Sequence, residues 1–274
     1  MKLLSLVLAS LFLASVAFAA PGDVLRSSTV SGQPSYGIRG MARDWDTDEL
    51  WVAGPAGSNN VRFTSIDIVT LAPGTWQQAM SMGWVFDIGY GYDVGGTKYL
   101  LMNDQYSPYT KIIDPADGSY EGNLPDYYSS AQYTDGCGID WNTNYVYISS
   151  YGSADCVYYD GSSWSVFTTI SGALNMGVAV GWDHVFFLRT STYYTIEVYQ
   201  IDGTFVESIP LNGWSSGWYV MGAACGQVDI AGDNESLFIC DFITLQVHEI
   251  EVGDYAGEAL QESTWGEIKT VFSN

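Results

Sequence analysis

Gly40-Met-Ala-Arg-Asp-Trp-Asp-Thr-Asp-Glu-Leu-Trp-Val-Ala-Gly54 reads as a strand of small residues, a polar turn and a second, apolar strand. The phrase returns as Ile88-Gly-Tyr-Gly-Tyr-Asp-Val-Gly-Gly-Thr-Lys-Tyr-Leu-Leu-Met-Asn103 and Gly138-Ile-Asp-Trp-Asn-Thr-Asn-Tyr-Val-Tyr-Ile-Ser149. Two further copies are Val178-Ala-Val-Gly-Trp-Asp-His-Val-Phe-Phe-Leu188 and Gly226-Gln-Val-Asp-Ile-Ala-Gly-Asp-Asn-Glu-Ser-Leu-Phe-Ile-Cys240. Anchored on Trp45, Tyr92, Trp141, Trp182 and Ile230, successive copies lie 47, 49, 41 and 48 residues apart. Strand-built repeats of that length mark the blades of a β-propeller.

A second landmark keeps the same period. Each copy is followed by a third strand that ends in an Asp-rich turn, centred on Asp67, Asp114, Asp160 and Asp202. A fourth strand follows, as in Trp76 to Met80 and Thr204 to Pro210. Asp-Gly pairs favour tight turns because Gly accepts positive φ without steric cost. The fifth copy shows strands near 226–230, 236–241 and 246–252 but no fourth strand of its own. The segment Asp23-Val-Leu-Arg-Ser-Ser-Thr-Val30 can supply one, pairing into the last blade and closing the ring. Closure removes sheet edges that would otherwise recruit other chains. The expected fold is therefore an all-β, five-bladed β-propeller. A six-bladed ring would need the C-terminal stretch to form a blade, and that stretch has no paired-strand phrase.

The expected organisation has three parts. Residues 1–19 read as a signal peptide, with Lys2, an apolar run from Leu3 to Phe18, and a small-x-small cleavage site at Ala17-Phe-Ala19. No cysteine directly follows that site, which argues against lipidation. Residues 20–260 form one propeller domain. Residues 261–274 form a tail, a short helix or a packed extension, in which Trp265, Ile268 and Phe272 recur at helical spacing. The protein is expected to be secreted, periplasmic or held at the cell surface, not inserted in a membrane after cleavage, and monomeric.

Acidic residues number 31 against 9 basic ones, a formal net charge of -22. Such a surface repels nucleic acid and anionic membranes and favours cations, basic partners or neutral ligands. Aromatic residues make up 15% of the chain and glycines number 30, a strand-and-turn composition. Cys137, Cys156, Cys225 and Cys240 allow three disulfide pairings. Cys225–Cys240 is the favoured one, because the last hairpin folds the two strands together. Cys137–Cys156 is the weaker one, since two strand spacings separate its members.

The phrase Gly-x-x-x-Asp-Trp…Leu-Trp-Val-Ala-Gly, the Ile-Asp-Pro-x-x-Gly turn and the leader together resemble exported bacterial β-propellers. That resemblance implies a fold shared by glycan-binding, hydrolytic and scaffolding proteins. It does not select among them, since one fold carries many functions.

In a propeller, the connections into the inner strands and the loops after the second strands share one rim, where ligand sites form. On that rim Tyr36, Trp84, Tyr133, Trp214 and Trp218 are candidate stacking residues, and Asp87, Asp135 and Asn175 candidate polar ones. The leading reading is a binding or interaction domain, not an enzyme, that engages a glycan, a peptide or a partner protein and needs no cofactor. One alternative makes Asp87 and Asp135 the acid and base of a glycoside hydrolase. That alternative lacks the further carboxylate such enzymes use. The same pair is also a candidate Ca²⁺ site. A third reading is a docking module within a cell-surface assembly. Gly213-Trp-Ser-Ser-Gly217 matches the Gly-x-Ser-x-Gly pattern but lies in a rim loop, without the strand-to-helix context that motif requires.

Overall fold

The computed structural model describes residues 19–255, apart from 58, 94–95, 105–108, 129–133, 151, 171–174, 190–193, 215–219 and 229–234. Residues 1–18 and 256–274, which hold most of the expected signal peptide and the whole expected tail, lie outside the described residues. The described residues are all-β: five antiparallel four-stranded sheets set around one axis as the blades of a propeller. Blade 1 holds β2 (Gly40–Asp44), β3 (Glu49–Gly57), β4 (Asn60–Asp67) and β5 (Gln77–Ala79). Blade 2 holds β6 (Val85–Tyr92), β7 (Lys98–Asp104), β8 (Thr110–Ile113) and β9 (Tyr120–Asn123). Blade 3 holds β10 (Thr134–Ile139), β11 (Val146–Ser150), β12 (Asp155–Tyr159) and β13 (Trp164–Thr169). Blade 4 holds β14 (Asn175–Gly181), β15 (His184–Arg189), β16 (Thr195–Gln200) and β17 (Phe205–Pro210). Blade 5 holds β18 (Val220–Val228), β19 (Glu235–Asp241) and β20 (Gln246–Gly253), and takes its outer strand from β1 (Val24–Ser28).

Alternation along each strand explains the core. Successive side chains point to opposite faces, and each blade lies between two others, so both faces are buried. Leu100 enters the apolar cluster between blades 1 and 2, while its neighbour Leu101 enters the cluster between blades 2 and 3. Tyr147, Phe187 and Tyr199 fill the space between blades 3 and 4, and Phe186, Leu237 and Ile250 that between blades 4 and 5. Met41, Leu50 and Phe238 join blade 5 to blade 1. This last cluster completes the ring with the same kind of packing as the other four.

The landmark aspartates have a physical role. The carboxylates of Asp67, Asp114, Asp160 and Asp202 accept backbone N–H groups of the turns they begin, as from Thr70, Ala116, Ser162 and Thr204. These are Asx-type turns, in which a short side chain stands in for a backbone acceptor. Hydrogen bonds from Ser162 and Ser163 hold the Asp160 carboxyl down to about 2.

The N-terminal strand closes the ring as the sequence implies. β1 pairs antiparallel with β20, placing Val24 opposite Ile250 and Ser28 opposite Val247. The Arg26 guanidinium binds the Glu249 carboxylate and the carbonyls of Ile68 and Val69, fastening blade 5 to blade 1. Ser27 Oγ lies 2.7 Å from Nδ1 of the buried His248.

Two expectations need correction. The inner strand of the fifth blade begins at Val220, six residues before the phrase at Gly226, and Ile230 lies outside the described residues. The disulfides are absent: all four cysteines are free, buried thiols. β18 pairs Cys225 with Leu237, which leaves Cys240 three positions further along its strand. An odd offset puts the two on opposite faces, and Cys225 indeed sits in the cluster towards blade 4 while Cys240 faces blade 1. Cys137 and Cys156 diverge likewise: Val157, not Cys156, shares the face of Cys137, and Cys156 packs towards blade 4.

Two predictions follow from this packing. A thiol reagent should modify none of the cysteines rapidly in the folded protein and all four after unfolding in denaturant; fewer than four equivalents without added reductant would contradict the pairing register. The second concerns ring closure. Burial pulls the pKa of His248 below 6.5, partly opposed by Asp241. The unfolded chain therefore takes up a proton below about pH 6.5 that the folded protein resists, so stability falls as pH drops through that value. Melting temperatures from pH 7.5 to 5.5 should fall less steeply for His248→Gln than for the native protein, even if the variant is less stable throughout.

Candidate functional site

Strand direction defines two rims. The inner strands β2, β6, β10, β14 and β18 all start at one end of the axis, called here the upper rim. Just below it, equivalent positions of the five inner strands are Gly40, Asp87, Gly136, Gly177 and Gly222. Four are glycines because there is no room for anything larger. A Cβ on Gly222 would lie 2.4 Å from the Arg39 carbonyl oxygen and 2.7 Å from Asp87 Oδ1, and one on Gly177 would lie 2.3 Å from the Met221 carbonyl oxygen.

The fifth position is Asp87, which is fully buried at the hub. Its Oδ1 accepts the N–H groups of Met41 at 3.2 Å and Ile88 at 2.9 Å. Its Oδ2 accepts those of Cys137 and Val178, both at 3.1 Å. One carboxylate thus ties the inner strands of blades 1, 2, 3 and 4 together. Blade 5 approaches through Gly222, whose N–H is directed at Cys240 Sγ, while that thiol donates to the Arg39 carbonyl. Burial pushes the Asp87 carboxyl well above the usual carboxylate range, and the four N–H groups pull it back. Each oxygen has both acceptor directions filled by N–H, so a carboxyl hydrogen would have to displace one of them. Beneath the hub lies a cavity of about 20 Å³ lined by Met41, Ile88, Cys137, Val178 and Ala223. That is room for about one water molecule.

The exposed chemistry of the upper rim lies to one side of this hub. Tyr36 is 49% exposed, and its ring centroid is 5.3 Å from that of Trp84. The Arg39 guanidinium sits 4.5 Å from the Trp84 ring and 4.5 Å from the Phe242 ring. Tyr36, Trp84, Arg39 and Phe242 therefore form a continuous cluster across blades 1, 2 and 5, with the Tyr36 and Trp84 planes tilted by 52° and Arg39 buried. Such cation–π contacts strengthen as water is excluded. Asp104, at the end of β7, accepts the N–H groups of Gly83 and Trp84 and the Lys111 ammonium, which holds the Trp84 loop in place. Gly37, at φ +75°, turns the chain between Tyr36 and Arg39, and the Tyr36 N–H is tied to the Pro55 carbonyl.

The structure brings together only part of the proposed site. Tyr36 and Trp84 meet, joined by Arg39 and Phe242, which the sequence reading missed. The available signal was a rare basic residue placed directly before an inner strand. Asp87 belongs to the hub and does not open onto the rim. Asp135 is buried at the start of β10. Trp214 packs against the core between blades 4 and 5 with its ring 5.1 Å from His248. Asn175 opens β14, and Tyr133 and Trp218 lie outside the described residues. Among the described residues, no three His, Cys, Asp or Glu side chains converge to hold a metal ion.

No protein-family model and no curated protein matches the sequence. Among solved structures, the chain is similar to Myxococcus xanthus glutaminyl cyclase, with 9% identity and a TM-score of 0.53 over 85% of this chain and 99% of that one. It is also similar to a chain of a nidogen/laminin complex, with 14% identity and a TM-score of 0.52 over 76% and 77% of the two chains. A tail fibre of Staphylococcus aureus phage P68 matches with 12% identity and a TM-score of 0.51, over 88% of this chain and 56% of that one. At these identities the likeness shows the fold alone.

The hub generates a stability prediction. Asp87→Ala leaves four buried N–H groups without an acceptor, at about 1–3 kcal/mol each. The loss should reach on the order of 4 kcal/mol or more in urea unfolding. Asp87→Asn should also destabilise strongly, because its NH₂ group must face two of the N–H donors. An Asn variant within about 1 kcal/mol of the native protein would show that the carboxylate is dispensable at the hub.

Proposed function

We propose that this chain is an exported, non-enzymatic binding propeller that recognises a glycan, a peptide or a partner protein through the upper rim. The observation that carries this reading is the Tyr36–Trp84–Arg39–Phe242 cluster. It offers an exposed Tyr36 ring tilted 52° against a partly buried Trp84, and Asp104 holds the Trp84 loop through its backbone N–H groups. Rigid aromatic side chains lose little conformational entropy when a ligand settles on them, and Tyr, Trp and Arg dominate binding hot spots. Sugar rings and the apolar faces of peptide side chains both suit such a surface.

The reading assigns no catalytic role. Asp87 spends its acceptor capacity on four backbone N–H groups, which leaves the hydrolase alternative without one of its two carboxylates. Cleavage after Ala19 and residence outside the cytoplasm belong to the same proposal, supported by the character of the leader.

The test pairs binding with turnover. The mature protein is screened on glycan and peptide arrays, and hits are titrated against Tyr36→Ala and Trp84→Ala. Each variant should weaken binding about tenfold or more, which corresponds to about 1.4 kcal/mol, and Tyr36→Ala, at the exposed ring, should do so with the unfolding midpoint nearly unchanged. Undiminished binding by both variants would remove the rim from the site. Glycan hydrolysis by the native protein that disappears in Asp135→Asn would establish the enzyme instead.

A further inference from the structure

The chain holds a single Asn-Gly pair, Asn212-Gly213, in the turn that follows β17. An asparagine followed by glycine is chemically the least protected of its kind. The next backbone nitrogen can reach the carboxamide carbon with no Cβ in the way. Here both groups are accessible. Asn212 and Gly213 are exposed, and Gly213 turns the chain at φ +78°. Apart from its chain neighbours, no atom lies within 4 Å of the place a Gly213 Cβ would take. Among the described residues, the Gly213 N–H makes no hydrogen bond.

Asn212 also fastens the seam where the ring closes. Its backbone N–H donates to the Gly22 carbonyl at 2.9 Å. Its Nδ2 donates to the Asp23 carboxylate at 2.9 Å and to the Pro21 carbonyl at 3.4 Å. Gly22 in turn donates to the Glu251 carbonyl in β20, and the chain passes from there into β1. The end of blade 4 is thus tied to the N-terminal segment, and that segment to blade 5. The fit is close: a Cβ on Gly22 would lie 1.8 Å from the Pro210 carbonyl oxygen. Both side-chain contacts use Asn212 as the donor. The other oxygen of Asp23 accepts the Ala20 N–H at 2.9 Å. Hydrogen bonds from Ala20 and Asn212 hold the Asp23 carboxyl below its ordinary range, so it is ionised at neutral pH.

We propose that Asn212 is a site of spontaneous deamidation, and that the reaction loosens the closure of the ring. The Gly213 nitrogen attacks the side-chain carbonyl carbon of Asn212. A succinimide ring forms as the carbon–nitrogen bond of the carboxamide breaks, and the Gly213 proton leaves with that nitrogen as ammonia. Water then opens the ring at either carbonyl, which gives aspartate or isoaspartate at position 212. Nothing is oxidised or reduced; one water is consumed and one ammonia released. A carboxylate at this position has no hydrogen to donate. It faces the Asp23 carboxylate and the Pro21 carbonyl, acceptor against acceptor, and the like charges repel. Isoaspartate also adds a carbon to the main chain of the turn and shifts the N–H that Gly22 accepts. The site does not depend on the upper-rim reading.

The folded protein is incubated at mildly alkaline pH and sampled over weeks by peptide mapping with mass spectrometry. Asn142, exposed in a turn but followed by Thr143, is the internal comparison. Position 212 should convert well ahead of position 142. Asn212→Asp should melt about 2–4 °C lower or more, and its β1 amides should exchange about tenfold faster. The swapped pair Asp23→Asn, Asn212→Asp restores a donor opposite an acceptor and should recover most of that loss. Asn212→Gln, whose side chain cyclises far more slowly, should keep its own starting melting temperature through the incubation, while the native protein declines towards that of Asn212→Asp. Equal conversion at 212 and 142, a native melting temperature for Asn212→Asp, or a swapped pair no more stable than Asn212→Asp would each overturn the proposal.

Discussion

The interaction on which this molecule depends is the acceptance of four backbone N–H groups by the Asp87 carboxylate. The inner strand of a blade has a neighbour on one side only. Its other edge faces the axis, where the Asp87 carboxylate and the facing glycines are buried together. Peptide N–H groups buried without a partner are costly, so the axis must contain an acceptor. A carboxylate serves because it presents two oxygens, each with two acceptor directions, and carries no donor to collide with the N–H groups. The remaining glycines are the complement of that choice. With one Asp at the centre, the facing positions must give up their side chains.

This arrangement divides the protein into two chemically distinct ends. Among the described residues, Asp87 and the facing glycines fill the axis just below the upper rim, and a space of about 20 Å³ lies beneath them. The upper rim presents the exposed Tyr36 ring beside Trp84, with Arg39 buried between them and Phe242. These ends differ because different loops build them, while the blades between them repeat.

The fold was legible because repetition acts as its own control. Hairpin phrases and turn aspartates kept one period, and each turn aspartate proved to hold its turn through a side-chain acceptor. The closing strand could be read from a missing partner in the last blade. Less could be read where the chain departs from an even register. Bulges between Val220 and Ala223 and between Cys225 and Val228 hid the start of the fifth inner strand, and with it the faces on which Cys225 and Cys240 lie. Asp87 looked like a rim residue because it precedes the phrase beginning at Ile88; only alignment with Gly40, Gly136, Gly177 and Gly222 shows it to be the hub. Arg39 joined Trp84 and Phe242 from three different blades, a coincidence of space that no local pattern encodes.

The pairing of β1 with β20 carries a consequence for how the molecule is made. Arg26 and Glu249, which meet in that pair, are 223 positions apart along the chain. A polypeptide that emerges N-terminus first, from a ribosome or through a membrane channel, presents β1 long before its partner exists. The growing arc of blades must keep an open end until the final hairpin arrives. Contacts so remote in sequence form slowly, so the last step of assembly is a latch between the oldest and youngest parts of the chain. Until it engages, the outer edges of β1 and β20 remain unpaired, and that interval is when a quality-control protease or a chaperone would find its substrate.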